Sequence, residues 1–201
     1  MPIHVAGRRR TTASLEAAFP GAEIIDVTSG APDPWVRLSP FYPHGGIPVP
    51  YGEGVTSQSV EGIWQALKVF PDSDVDLAKL RVTSMRGLKR TVRRFGPVQG
   101  HRTGPHGDRL LSYEAARRRI YLPAYRWVLE HRVADLVERL RGKEHVVLLD
   151  HTTNGDVADP GSPLSHAALI RLHLEGRWPD ERHTAGCAGR CRTEECPTTT
   201  S

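Results

Sequence analysis

Only two stretches of this chain carry the density of β-branched and apolar residues expected of a buried strand, AEIIDVTS at 22–29 and HVVLLD at 145–150. A sheet built mainly from these is small, so most of the core has to come from helices. Apolar residues recurring at three and four positions supply such helices along much of the remaining chain. The expected fold class is therefore α+β, a predominantly helical single domain with a small β component. A length of 201 residues suits one domain with a core of its own. Nothing near the end has a foldable pattern, which divides the chain into one domain over 1–180 and a flexible, cysteine-containing tail over 181–201.

The punctuation between these runs is informative. A short helix is expected over 11–19, with Leu15 and Phe19 one turn apart and Pro20-Gly21 ending it. Residues 30–56 hold six prolines and form a restricted loop, whose aromatic residues Trp35, Phe41, Tyr42 and Tyr51 argue for order. From Ser59 to Phe70 the spacing of Val60, Ile63, Trp64 and Leu67 predicts a helix capped by Ser57 or Ser59 and stopped by Pro71. Residues 72–111 are basic and poorly periodic, and GPVQGHRTGPHGD at 96–108 reads as a mobile loop placed to act as a lid or to contact phosphate. The longest helical pattern runs over 112–131 with Pro123 expected to kink or split it, and a short helix follows over 133–140. A last helix is expected to start at Ser162-Pro163 and end at Gly176.

Two constellations carry candidate chemistry. On the helix from Ser59, the residues Glu61, Gln65 and Lys68 are four and seven positions apart and share one stripe, with Trp64 beside it. An acid, an amide, an amine and a stacking ring on one face suit a polar ligand, although a solvated helix face has the same pattern. Glu61 falls in the first turn, where the helix dipole favours the carboxylate and hence a base or a stabiliser of positive charge. The second constellation, Asp150, His151, Asn154 and Asp156, follows the strand at 145–150 and precedes a helix. A plain strand-to-helix connection with local Asn and Asp turns is the alternative there.

The stretch LSPFYPHGGIPVPYGEGVTSQSVEGIWQALKVF at 38–70 resembles the opening signature of the NADAR superfamily, with Phe41, Ser59, Glu61, Gln65, Ala66 and Lys68 at the matching positions. Residues 117–156 are similar to the later part of that family, where a helix pair precedes an apolar strand and an acidic turn. The chain departs from the family at Gly62, where histidine is frequent, and at Val157-Ala158-Asp159, where a Trp-Gly pair is expected. It reads as a divergent member or a sister family. The resemblance implies a NADAR-like fold and cleavage of an N-glycosidic bond to a ribose phosphate or ADP-ribose, in a nucleotide metabolite or an ADP-ribosylated base. It also implies Glu61, Lys68 and Asp156 as catalytic residues. Phe41, Tyr42, Trp64, Gln65, Asp150, His151 and Asn154 would bind substrate. Lys68 either assists hydrolysis or attacks the opened sugar as a Schiff-base lysine.

The remaining features bound the partners. Lys and Arg number 27 against 23 Asp and Glu, and most of the cations are arginine, which suits a ribosyl-phosphate or ADP-ribosyl ligand. Free use of arginine by the coding sequence gives the same composition. A non-catalytic nucleotide- or ADP-ribose-binding module is the second reading, and a nucleic-acid-binding protein using the basic 79–119 segment is the third. No cofactor and no resident metal are expected; His183, Cys187, Cys191 and Cys196 have the right number of ligands for zinc, but their spacings miss the compact knuckle and favour reduced thiols on a tail. No apolar run approaches the roughly 20 residues of a membrane span, and the start has no secretory pattern, so a cytoplasmic location is expected.

Overall fold

The structure is a computed structural model that describes residues 2–179. His183 and the three cysteines of the proposed tail lie outside the described residues. Helix exceeds strand, at about 35% against 15% of the chain, in one α+β domain.

The chain opens with strand β1 (Ile3–Gly7), helix α1 (Thr12–Ala18) and strand β2 (Glu23–Asp26). Thr11 caps α1 by accepting the Ser14 N–H at 3.2 Å, and Gly21 supplies the positive φ of 73° that turns the chain into β2. The proline-rich loop follows, carrying a 3-10 turn over Trp35–Leu38 and the small hairpin of β3 (Ile47–Pro48) and β4 (Thr56–Ser57). Its order comes from burial of Leu38, Ile47 and Val49 and from the Tyr125 hydroxyl, which donates to the Leu38 carbonyl at 2.7 Å.

Helix α2 (Val60–Ala66) comes next, with Ser59 accepting the Gly62 N–H at 2.9 Å. It is shorter than the predicted helix to Phe70. Beyond Leu67 the chain straightens into β5 (Lys68–Val69), because Lys68 and Val69 pair with His101 and Gly100. Lys68 therefore reaches the site from a strand rather than from the helix. After a 3-10 turn over Leu77–Arg81 and helix α3 (Val92–Phe95) come β6 (Gly100–Arg102) and β7 (Leu110–Leu111). The expected mobile loop at 96–108 thus contains the middle strand of an antiparallel sheet, order β5-β6-β7, with His101 fully buried. Gly100, at φ 157°, allows that approach: a Cβ there would meet the Leu111 carbonyl oxygen at 2.5 Å.

The long helical pattern is one run in three parts: α4 (Tyr113–Ala116), a π-turn over Arg117–Tyr121, and α5 (Leu122–His131). Pro123 has no N–H to donate, and the wider turn, in which the Leu122 N–H reaches back five residues to Arg117, carries the helix past it without a break. Helix α6 (Ala134–Arg141), strand β8 (Val146–Asp150) and helix α7 (His166–Leu174) complete the domain. The start of α7 falls at the Ser165 cap, not at Ser162-Pro163, because Ser165 is the residue whose hydroxyl meets the Ala168 N–H, at 3.2 Å.

Strand β8 lies between β1 and β2 and runs parallel to both, which explains its unbroken Val146-Val147-Leu148-Leu149 sequence. All three carboxyl ends, at Gly7, Asp26 and Asp150, share one edge. In open parallel sheets that edge is where ligands bind. The main core joins one face of this sheet to α2, α5, α6 and α7, while Leu15 and Phe19 cover part of the other face.

Gly62 is fixed by packing. A Cβ at that position would lie 2.9 Å from the Lys79 carbonyl oxygen, 2.9 Å from Ser57 Oγ and 3.0 Å from Ser59 Oγ. Alanine in a helix interior gains up to about 1 kcal/mol over glycine, whereas overpacking costs roughly 1–3 kcal/mol. Contact with a backbone oxygen cannot be relieved by a rotamer change, so the clash wins. Gly62→Ala should unfold at a lower urea concentration than the wild type, and Gly62→His at a lower one still.

Candidate functional site

A cavity of about 550 Å³ opens at the carboxyl edge of the parallel sheet. Helix α2 supplies Glu61, Trp64 and Gln65 to its wall, and β5 supplies Lys68. Ser39, Pro40 and Phe41 come from the proline-rich loop, and Lys89 to Val92 from the segment entering α3. Tyr113, Arg117 and Tyr121 line it from the helix containing the π-turn, whose slow rotation keeps residues four apart on one face. Asp150, His151, Thr152 and His166 close the side nearest the sheet.

Seven of the residues singled out from sequence therefore share one cavity: Phe41, Glu61, Trp64, Gln65, Lys68, Asp150 and His151. Tyr42, Asn154 and Asp156 are not part of its lining. Tyr42 packs beside His44, with ring centroids 4.8 Å apart. Asn154 Nδ2 donates to the carbonyls of Asp159 and Ser162, and its Oδ1 accepts the Asp156 N–H at 2.8 Å. Asp156 in turn accepts the Ala158 N–H at 2.8 Å. These two residues build the turn, outside the cavity lining.

The acid and the amine are both perturbed by the same cause. Glu61 is 8% exposed, and burial pushes its carboxyl above the usual range, against the opposing pull of the Gln65 hydrogen bond and of Lys68 and Lys89. Burial works against the helix-dipole expectation of a carboxylate, because loss of solvation is larger than a dipole effect of about 1 kcal/mol. Burial lowers Lys68, with Glu61 opposing that shift and Arg90 and Lys89 reinforcing it. Both groups are thus moved toward their neutral forms. Beneath them His101 stacks on Trp64 at 3.8 Å between centroids, and burial with the nearby Lys68 holds its imidazole down to about 3. Tyr113 and Tyr121 meet the same indole edge-on at 5.8 and 5.7 Å.

Two buried arginines escaped the sequence reading. Arg90 and Arg117 are 3% and 2% exposed, and neither forms an ion pair among the described residues. Carbonyls meet their terminal nitrogens instead: Arg90 donates to Lys68, Ser73 and Asp74, and Arg117 to Val157, Asp159 and Ser162, while the Nε of each is buried without a partner among the described residues. Their charge is solvated without being cancelled, which leaves the cavity wall electropositive. The expected nucleic-acid segment at 79–119 therefore turns two of its cations inward. Composition could not show that, since it does not distinguish a solvated guanidinium from one held by carbonyls.

His166 was also missed, because the helix start was expected three residues too early. Its Nδ1 lies 2.9 Å from Asp150 Oδ2 and its Nε2 2.8 Å from the Val27 carbonyl oxygen. Asp150 further accepts from the Ser165 hydroxyl and the N–H groups of His151 and Ala167. Burial opposes both charges, yet Asp150 is lowered by His166 and by these donors, and His166 is raised by Asp150 and Val27. The pair fastens β2, β8 and α7 together at the cavity floor. Among the described residues no group of three or more His, Cys, Asp and Glu is arranged to hold a metal ion.

Residues 7–170 match the model of DUF6939, a family of unknown function. The chain belongs to that family. Comparison with curated proteins finds no match. The match runs from the last residue of β1 to the middle of α7, and so includes every cavity residue named above.

The ion pair sets a pH dependence. His166 contributes stability that is fully present below its ordinary value of 6.5 and is lost as pH rises through its raised folded value. Asp150 contributes above its ordinary 3.8 and loses that contribution as pH falls through its lowered one. Urea unfolding between pH 6 and 9 should therefore show wild-type stability falling relative to that of His166→Gln. Taking the difference between the two proteins isolates this effect, since His44 and His101, held low by burial, give the opposite slope in both.

Proposed function

We propose that this cavity cleaves an N-glycosidic bond to a ribose phosphate or ADP-ribose, and that the chain is a divergent NADAR-like protein. The observation that carries this reading is the pairing of a buried carboxyl, pushed by burial toward its protonated form, with a partly desolvated amine, in a cavity that Lys89, Arg90 and Arg117 also line. A glycosidic nitrogen leaves only when its electron pair is accepted by a proton or a positive field, and the anomeric carbon left behind becomes cationic. Glu61 supplies the proton to the departing base. The carboxylate that remains faces the sugar cation and then takes a proton from the water that adds at C1, which restores the acid.

Lys68, Lys89 and the field of Arg90 and Arg117 suit the phosphate, and Phe41 and Tyr113 offer ring faces to a base. Lys89 already sits 5.5 Å from the centroid of Phe41, so cation and ring come as a pair. Tyr121, pushed well above 10 by burial, remains a neutral hydroxyl donor. Gly62, where the NADAR signature often carries histidine, has no room for a side chain. No described helix is long and apolar enough to cross a membrane, and a nucleotide substrate of this kind would place the work in the cytoplasm. Arg93 and Arg94, exposed beside cavity residue Val92, favour nucleic acid as the second ligand class, with the ribosyl group presented on a strand.

Glu61→Gln removes the transferable proton and keeps the shape. It should lower turnover of ribosyl nucleotides by roughly 10²–10⁴ with ligand affinity retained. Borohydride added during turnover should trap a sugar adduct on the wild type and none on Lys68→Met if the amine attacks C1; if it only meets phosphate, Lys68→Met should bind more weakly and keep its maximal rate. Wild-type turnover by Glu61→Gln would overturn Glu61 as the acid, and ribosyl binding without turnover by the wild type would leave a binding module as the better reading.

A further inference from the structure

Gln65 joins the backbone to the Glu61 carboxyl in an order that chemistry allows in one direction only. The Arg90 N–H is a backbone donor and meets Gln65 Oε1 at 2.9 Å. A donor cannot face the amide nitrogen, so the orientation of the Gln65 amide is fixed. Its Nε2 then has to point the other way, and it donates to Glu61 Oε1 at 2.7 Å. Gln65 is 3% exposed, which keeps water from competing for either bond.

This chain of bonds decides where a proton on Glu61 resides. A proton on Oε1 would face an amide nitrogen that has hydrogens and no lone pair to offer. The proton therefore belongs on Oε2, which bonds to no group among the described residues and belongs to a side chain in the cavity wall. The order runs from Arg90 N–H to Gln65 Oε1, from Gln65 Nε2 to Glu61 Oε1, and from Glu61 Oε2 to the ligand.

We propose that Gln65 is a positioning residue that holds the Glu61 proton on Oε2 as a donor, and so selects ligands that present a hydrogen-bond acceptor, such as an unprotonated ring nitrogen or a carbonyl oxygen of the leaving group. The inference rests on the glycosidase reading for the meaning of that donor, but the bond order itself does not. A leaving group that presents an N–H at this point would meet another donor, and binding would leave one of the two buried groups unpaired. Such mismatches discriminate more strongly than a change of shape does.

The test is infrared spectroscopy of the carboxylic-acid C=O stretch in the full chain across pH, with Glu61 assigned by subtracting the spectrum of Glu61→Gln. Gln65→Glu keeps an acceptor for the Arg90 N–H and places a second carboxyl against Oε1. Two carboxyls sharing a proton should titrate in two steps separated by more than about one unit, the upper step above that of wild-type Glu61. Gln65→Met, of similar length and without the amide, should raise the single Glu61 step by about one unit, a tenfold change in proton affinity. A Gln65→Glu protein that adds one carboxyl titrating in the ordinary range and leaves the Glu61 step unmoved would overturn the proposal, as would an unmoved step in Gln65→Met. Neither readout uses a substrate, so absence of ribosyl turnover in the wild type would refute the glycosidase reading and leave this result standing.

Discussion

Helix α2 is buried on every side, and the shape and chemistry of the cavity follow from that constraint. A helix with one solvated face can carry any polar residue there without consequence. All seven residues of α2 are buried, so Glu61 and Gln65 have to find partners within the protein. They find each other and the Arg90 backbone. On the opposite side Val60, Ile63 and Ala66 join the main core, with Leu67 just beyond the helix. Around it the proline-rich loop is pinned by the Glu61 N–H, which donates to the Pro40 carbonyl at 2.9 Å, and the Leu77–Arg81 turn crowds Gly62. The enclosing segments are irregular, and their coverage leaves the cavity beside the helix rather than filling it.

Charge inside this enclosure is arranged unevenly. Glu61 and Lys68 are each driven toward neutrality by burial, while several carbonyls replace the water around the guanidinium groups of Arg90 and Arg117. Asp150 and His166 balance each other at the sheet edge. What is left over is positive potential around a weak acid and a weak base. That combination distinguishes the cavity from an ordinary internal void.

Sequence periodicity revealed the longer helices and the strands β2 and β8 because those signals are local, while β1 and the short α3 gave no such signal. The α2 stripe was legible for the same reason: Glu61 and Gln65 are one turn apart whatever surrounds them. Lys68 reached the cavity despite leaving the helix, because its pairing with His101 keeps it near the same wall. Information that depends on distant partners was out of reach. Nothing local marks Arg90 or Arg117 as buried among carbonyls, or His101 as the middle of a sheet within a stretch rich in glycine. Asp150 and His166 are sixteen residues apart and meet only because β8 ends where α7 begins. The turn residues Asn154 and Asp156 had the right types for chemistry, but such residues bond locally, and here the local use won.

The claim at the centre is that the space between Glu61, Lys68 and the buried arginines receives a ribosyl phosphate. Isothermal titration of ribose 5-phosphate into the full chain tests it without assuming any reaction. The account predicts saturable one-to-one binding, with affinity reduced at least about tenfold, or 1.4 kcal/mol, in Lys68→Met. No saturable heat with the wild type, or the same affinity in Lys68→Met, would contradict it.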